Sequence, residues 1–291
     1  MPSVRTIPAV AIVALAAWLP PAANAGPLVM NSPTTAWTAV LYPNSPPDFS
    51  NEQGTGQEES DIVGNLAHPA FYTAFDDAGT ASLIDGMLGF RIRLGADKNP
   101  AGFGKGALVG IDANSDGALD LFALVDNTGA NKIALYDPGS GTNTSPATTS
   151  ITTTGISYSE TSSNYNWSQV TISIDPTATI FDIDADGNTD YFLSFAVSFQ
   201  DLVNRLALRG ITGVDQNTSF RYVLGTSTNA STLNQDIAGP NGGTSSAVSW
   251  VGLDAISNPG APGGSSPVPE PGTASLLGLG LLALARLRRP V

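Results

Sequence analysis

Residues 87–94 read Met87-Leu88-Gly89-Phe90-Arg91-Ile92-Arg93-Leu94. Leu88, Phe90, Ile92 and Leu94 fall on alternate positions, with Gly89, Arg91 and Arg93 between them. A period of two belongs to a β-strand, whose successive side chains point to opposite faces. The stretch is therefore expected to be a half-buried strand with its apolar side inward. Working outward, Ala107 to Ile111, Leu119 to Val125, Ile133 to Tyr136, Gln169 to Ile174, Ala178 to Phe181, Tyr191 to Val197 and Phe220 to Leu224 are short apolar runs with the same expectation. The Ser/Thr-rich residues 140–166 read as loops and edge strands. Helix is expected over Phe199 to Leu208, where residues 199, 202, 206 and 208 are apolar and Ser198 stands at the N-cap. Many strands and little helix predict a mainly β fold, a β-sandwich of jelly-roll-like kind with short helices. A propeller is the rival, but it needs four or more repeated blades.

Two acidic stretches interrupt the strands. The first is Asp112-Ala113-Asn114-Ser115-Asp116-Gly117-Ala118-Leu119-Asp120, and the second is Asp182-Ile183-Asp184-Ala185-Asp186-Gly187-Asn188-Thr189-Asp190. Both fit D-x-[DN]-x-D-G-x-x-D. Calcium takes six to eight hard oxygens, and alternate positions in a tight loop aim side-chain oxygens at one point. Positions 1, 3 and 5 are Asp112, Asn114 and Asp116, or Asp182, Asp184 and Asp186. Glycine at position 6 permits the sharp turn. Position 7 (Ala118 or Asn188) offers its main-chain carbonyl, and position 9 (Asp120 or Asp190) returns a carboxylate. The competing reading is a metal-free polar turn, because Asp, Asn and Gly are common turn residues. Carboxylates this close repel one another, and bound Ca²⁺ would turn that repulsion into folding energy. These are not EF-hands, which require a bidentate glutamate at position 12. That position holds Ala123 or Leu193. The loops resemble the calcium loops of integrin-type FG-GAP repeats and thrombospondin type 3 repeats, over about nine residues each. The resemblance implies Ca²⁺ chemistry and says nothing of fold.

The chain has no cysteine, so disulfides, thiolate metal sites and a cysteine nucleophile are excluded. His68 is the single histidine, which disfavours a multi-histidine zinc site and a Ser-His triad. It precedes Pro69 in an expected loop or strand end, with an ordinary surface role. Acidic residues number 25 against 12 basic. With Arg5, Arg286, Arg288, Arg289 and Glu270 set aside in the two ends, 24 acids face 8 bases, a formal charge near −16. Such a surface repels nucleic acid and attracts divalent cations.

Both ends read as addresses. Residues 1–25 have a basic Arg5, an apolar Ile7 to Leu19 and Ala23-Asn24-Ala25 before Gly26, the layout of a secretory signal peptide. Residues 257–267 form a Pro/Gly/Ser linker between the domain at 26–256 and the tail at 268–291. That tail reads Val268-Pro269-Glu270-Pro271-Gly272, an apolar run from Thr273 to Ala285, then Arg286, Arg288 and Arg289. The run falls well short of the about 20 residues that span a bilayer, so it would touch the membrane only transiently. Box, apolar segment and basic tip resemble the PEP-CTERM sorting signal of Gram-negative bacteria. The resemblance implies processing by exosortase, an integral-membrane cysteine protease, and delivery to the cell envelope, outer surface or extracellular matrix.

PEP-CTERM proteins occur in bacteria that make exopolysaccharide, so the resemblance implies a noncatalytic matrix protein, with exopolysaccharide as a potential partner. The stretch from Gly89 to Asp126 is also similar to bacterial surface β-sandwich modules, some of them akin to carbohydrate-binding domains. That gives an alternative, a glycan-binding module using Trp37, Trp167 or Trp250, with Tyr158 and Tyr165 near Trp167. A polysaccharide-active enzyme is the third reading. Glu58-Glu59 and Asp76-Asp77 supply acids, but glycoside hydrolysis needs two carboxylates placed across a cleft. No nucleophile elbow, phosphate loop or metalloprotease helix occurs in the sequence.

Overall fold

The computed structural model describes residues 27–43, 53–54, 57–97, 102–239 and 243–263. The strands are β1 (Thr38–Ala39), β2 (Phe71–Asp76), β3 (Met87–Leu94), β4 (Gly106–Asp112), β5 (Leu121–Asp126), β6 (Lys132–Pro138), β7 (Ile151–Ser159), β8 (Tyr165–Gln169), β9 (Tyr191–Ser198) and β10 (Arg221–Ser227). One α-helix, α1 (Phe199–Leu208), follows β9. Two five-stranded sheets form, in the orders β1-β2-β3-β9-β8 and β10-β4-β5-β6-β7, with every strand pairing antiparallel. The second sheet is a meander from β4 to β7, and β10 returns after a long excursion to lie beside β4, in the manner of a Greek key.

The two sheets share one core. Phe71, Phe90, Ile92, Leu193 and Phe195 from the first sheet pack with Val109, Ile111, Leu121, Ala123, Leu135 and Tyr222 from the second. Each Val, Leu, Ile or Phe side chain among them contributes about 1.5–3 kcal/mol when fully buried. The expected strand over residues 87–94 is β3, and its even-numbered residues fill this core. Gly89, Arg91 and Arg93 were expected on an open face. The structure covers that face. Met30, Trp37 and Val170 lie over Tyr72, Phe192 and Ala196, and both arginines are fully buried. Arg91 donates to Ser194 Oγ (2.8 Å) and to the carbonyls of Ser32 (2.8 Å) and Met30 (2.7 Å), with its guanidinium 4.2 Å from the Trp37 ring centre. The outer face of the second sheet is sealed as well. Trp250, Ala255, Ile256 and Ile237 cover Leu108, Phe122, Leu124 and Val223. Strands β4 and β5 are buried along their whole length for this reason.

The helix begins where its cap predicts. Ser198 Oγ accepts from the Asp201 amide at 3.2 Å, a contact worth about 1 kcal/mol in such caps. Two expected strands are absent. Chain pairing in β8 ends at Gln169, and Thr171 to Asp175 form a turn in which the Ile174 and Asp175 amides both donate to the Thr171 carbonyl. Ala178 to Phe181 is irregular as well, because it crosses over the first sheet instead of joining it. His68 also departs from expectation. It is 7 % exposed, packed inward rather than on the surface. Residues 257–263 are held on the sandwich. The Ser257 amide donates to Tyr222 O, Asn258 to Leu41 O and Gly263 to Gln216 O. The expected signal peptide (1–25) and sorting tail (268–291) lie outside the described residues.

Candidate metal centre

The two acidic loops fold alike. In each, the position 9 amide returns to the carbonyl just before position 1: Asp120 to Ile111 at 2.7 Å, Asp190 to Phe181 at 2.8 Å. The position 2 amide donates to the position 9 carboxylate, Ala113 to Asp120 at 2.9 Å and Ile183 to Asp190 at 3.2 Å. The glycine amide donates to the position 1 carboxylate, Gly117 to Asp112 at 3.1 Å and Gly187 to Asp182 at 3.0 Å. The position 7 amide donates to position 5, Ala118 to Asp116 at 2.8 Å and Asn188 to Asp186 at 2.7 Å. Backbone angles agree too. Ser115 and Ala185 take φ of 63° and 59°, and Gly117 and Gly187 take 86° and 95°. One nine-residue pattern thus dictates one backbone, although the first loop joins β4 to β5 and the second has a strand only downstream.

The side chains differ. Oxygens of Asp182, Asp184 and Asp190 lie within 4.8 Å of one another, the one carboxylate trio of this kind among the described residues. Both Asp184 oxygens are shielded from solvent without a hydrogen-bond partner. Asp186 stays at the rim, where its Oδ2 accepts from Asn188 Nδ2 at 3.0 Å. The first loop does not gather such a trio. Its Asp112 is fully buried with Oδ1 unpartnered, and Asp120 is buried beside it. Asn114 folds onto Asp116, its Nδ2 donating at 3.0 Å and its Oδ1 accepting from the Asp116 amide at 2.9 Å. Position 12 faces the inter-sheet core in both cases, since Ala123 and Leu193 are fully buried.

Burial is the main electrostatic fact at both loops. It lifts the Asp120 carboxyl to about 6, against the pull of the Ala113 amide, and it raises Asp112 in the same direction. Asp184 is pushed up to about 7 by burial and then by its carboxylate neighbours Asp182, Asp186 and Asp190. Asp190 rises to about 6 because burial outweighs the adjacent Arg93. Crowded, desolvated carboxylates disfavour their charged forms, and a cation would reverse that.

The second loop has support that sequence reading missed. Arg93 Nε lies 2.6 Å from Asp190 Oδ2, its Nη1 is 3.6 Å from Asp175 Oδ2, and its Nη2 donates to Ile180 O at 3.3 Å. Asp175 is itself 1 % exposed and accepts from Thr34 Oγ1 at 3.1 Å and Thr177 Oγ1 at 2.9 Å. Two arginines alternating with apolar residues in β3 were the available signal. Alternation does not report whether that outer face is covered, which only the tertiary structure reveals. Among the described residues no lysine or arginine forms an ion pair with the acids of the first loop.

The loops sit at opposite ends of the sandwich. The second adjoins Glu58 through Asn188, and the next residue, Glu59, pairs with Lys105 at the start of β4 (3.7 Å). The first loop leaves the far end of that seven-residue strand, roughly 23 Å away. The two sites are therefore separate.

The aromatic residues considered for glycan contact are engaged within the protein. Trp250 is fully buried, its Nε1 donating to Asn143 O at 3.0 Å. Trp37 lies against Arg91. Trp167 stacks on Tyr191 with ring centres 4.9 Å apart and lies 5.5 Å from Phe103. Tyr158 donates to Asp201 Oδ2 at 2.6 Å, and the Tyr165 hydroxyl accepts from Asn127 at 3.2 Å.

Among the described residues no helix is long and apolar enough to cross a membrane. No curated protein and no solved structure matches the chain. Residues 267–289 match the family model of the PEP-CTERM protein-sorting motif. The chain thus carries the address of a secreted protein that exosortase sorts to the cell surface.

Proposed function

We propose that the protein is a noncatalytic component of the cell envelope or exopolysaccharide matrix, stabilised by Ca²⁺ in its two acidic loops. The observation that carries this reading is the shared loop geometry, with the same four hydrogen bonds and two left-handed residues at matched positions 70 residues apart. The donor set fits calcium. It is all oxygen and rich in carboxylate, with no thiolate or imidazole. Asp112, Asn114, Asp116 and Asp120 would hold one ion, with the Ala118 carbonyl. Asp182, Asp184, Asp186 and Asp190 would hold the other, with the Asn188 carbonyl. Calcium supplies positive charge among desolvated carboxylates, and so joins strand ends that no disulfide can join. A disulfide-free exported sandwich gains rigidity outside the cell in this way.

Calorimetric melting with calcium and with EDTA, beside a glycan array, tests the reading. It expects a large loss of thermal stability on chelation and no soluble glycan that shifts the melt. A glycan hit abolished by Trp167→Ala, or hydrolysis of a polysaccharide by the pure protein, would replace it.

A further inference from the structure

We propose that Glu58 completes the second loop as an outer carboxylate, acting through Asn188. This rests on the calcium reading of that loop. Glu58 belongs to a one-turn 3-10 helix (Glu58–Ser60), distant in sequence from the loop by 130 residues. Its Oε2 accepts from Asn188 Nδ2 at 2.8 Å, and the same amide nitrogen donates to Asp186 Oδ2 at 3.0 Å. One amide thus holds a loop carboxylate and a foreign carboxylate side by side. The end of β3 completes the wall. A Cβ at Gly95 would stand 3.1 Å from Asp184 Oδ2 and 3.5 Å from the Glu58 carbonyl, so the end of β3 and the Glu58 turn both lie close against the loop. The Asp184 carboxylate behind that wall has no hydrogen-bond partner and faces Asp182 and Asp190, which points to a cation between them.

The chemistry explains why the loop recruits a distant glutamate. Calcium loops of the EF-hand kind draw an extra carboxylate from position 12. Here that position is Leu193, locked in the core. Glu58 adds its negative charge from the solvent side, and the Asn188 bridge fixes Asp186 for coordination. Outer partners of this kind set both ligand orientation and affinity. Position 7 of the first loop is Ala118, which has no side chain to build such a bridge. The second loop is therefore the tighter site, and its ion ties the Glu58 turn, the end of β3 and the start of β9 together.

Terbium and calcium titrations of the full chain test this. Asp116→Asn silences the first loop so that the second is read alone, and Asp186→Asn does the converse. Glu58→Gln is expected to weaken the second site about tenfold and leave the first unchanged. Asn188→Ala should weaken it too, and the double variant should lose no more than Glu58→Gln alone, because the two act as one unit. Glu58 is partly exposed, and an unchanged melt of the metal-free variant would exclude misfolding as the cause. Unaltered affinity in Glu58→Gln, or additive losses in the double variant, would overturn the proposal while the calcium reading stands. Wild-type protein that takes no ion in the second loop would overturn both.

Discussion

Arg93 and Asp190 meet at 2.6 Å with both side chains fully buried. The pair joins the hidden face of β3 to the last position of the second loop. Asp175 lies on the other side of the guanidinium, so one cation stands between two acids. Removing one partner of a buried pair leaves an uncompensated charge and costs about 3–5 kcal/mol. Arg93→Ala is expected to lose that much in urea unfolding. A loss within about 0.5 kcal/mol, the range of ordinary surface substitutions, would contradict the buried arrangement.

Ligand charge orders the loop variants. Asp182→Ala should weaken the second site more than Asn114→Ala weakens the first, because a carboxylate attracts calcium more strongly than an amide. A metal titration of the two variants checks this. Equal and negligible losses would show that neither loop coordinates.

The pH dependence of the metal-free protein has a definite sign. Asp120 and Asp190 sit at about 6 and Asp184 at about 7 when folded, whereas an unfolded aspartate titrates at about 3.9. The folded state therefore binds protons more tightly. The stabilisation these groups give is complete below about 3.9 and is lost as pH rises through 6 to 7. Melting of chelated, desalted protein should fall across that window. Saturating calcium should abolish the fall, since the ion holds the carboxylates charged. A melt that rises with pH through that window in the metal-free protein would contradict the assignment.

What the sequence made legible follows its periodicities. The β3 boundaries and those of α1 with Ser198 at its cap are carried by local pattern, and both loops by fixed spacing. The pattern could not say what covers a sheet. Arg91 and Arg93 read as solvent-facing because alternation reports which residues share a face and not whether that face is open. The covering layers come from residues 28–37, 170–181 and 250–256, far from the strands they seal. The same limit hid the support of the second loop. Asp175 and Glu58 approach it only through the fold, and nothing in D-x-D-x-D-G-x-x-D marks them. Gln169 to Ile174 looked like a strand because its apolar spacing fits one, yet tertiary packing turned it into a cover.

Isothermal titration of calcium into the metal-free protein tests the central claim most directly. The account predicts two ions bound per chain, with the second site lost in Asp182→Ala and the first in Asp112→Asn. Absence of any calcium-dependent heat, in protein whose folding is verified, would contradict it.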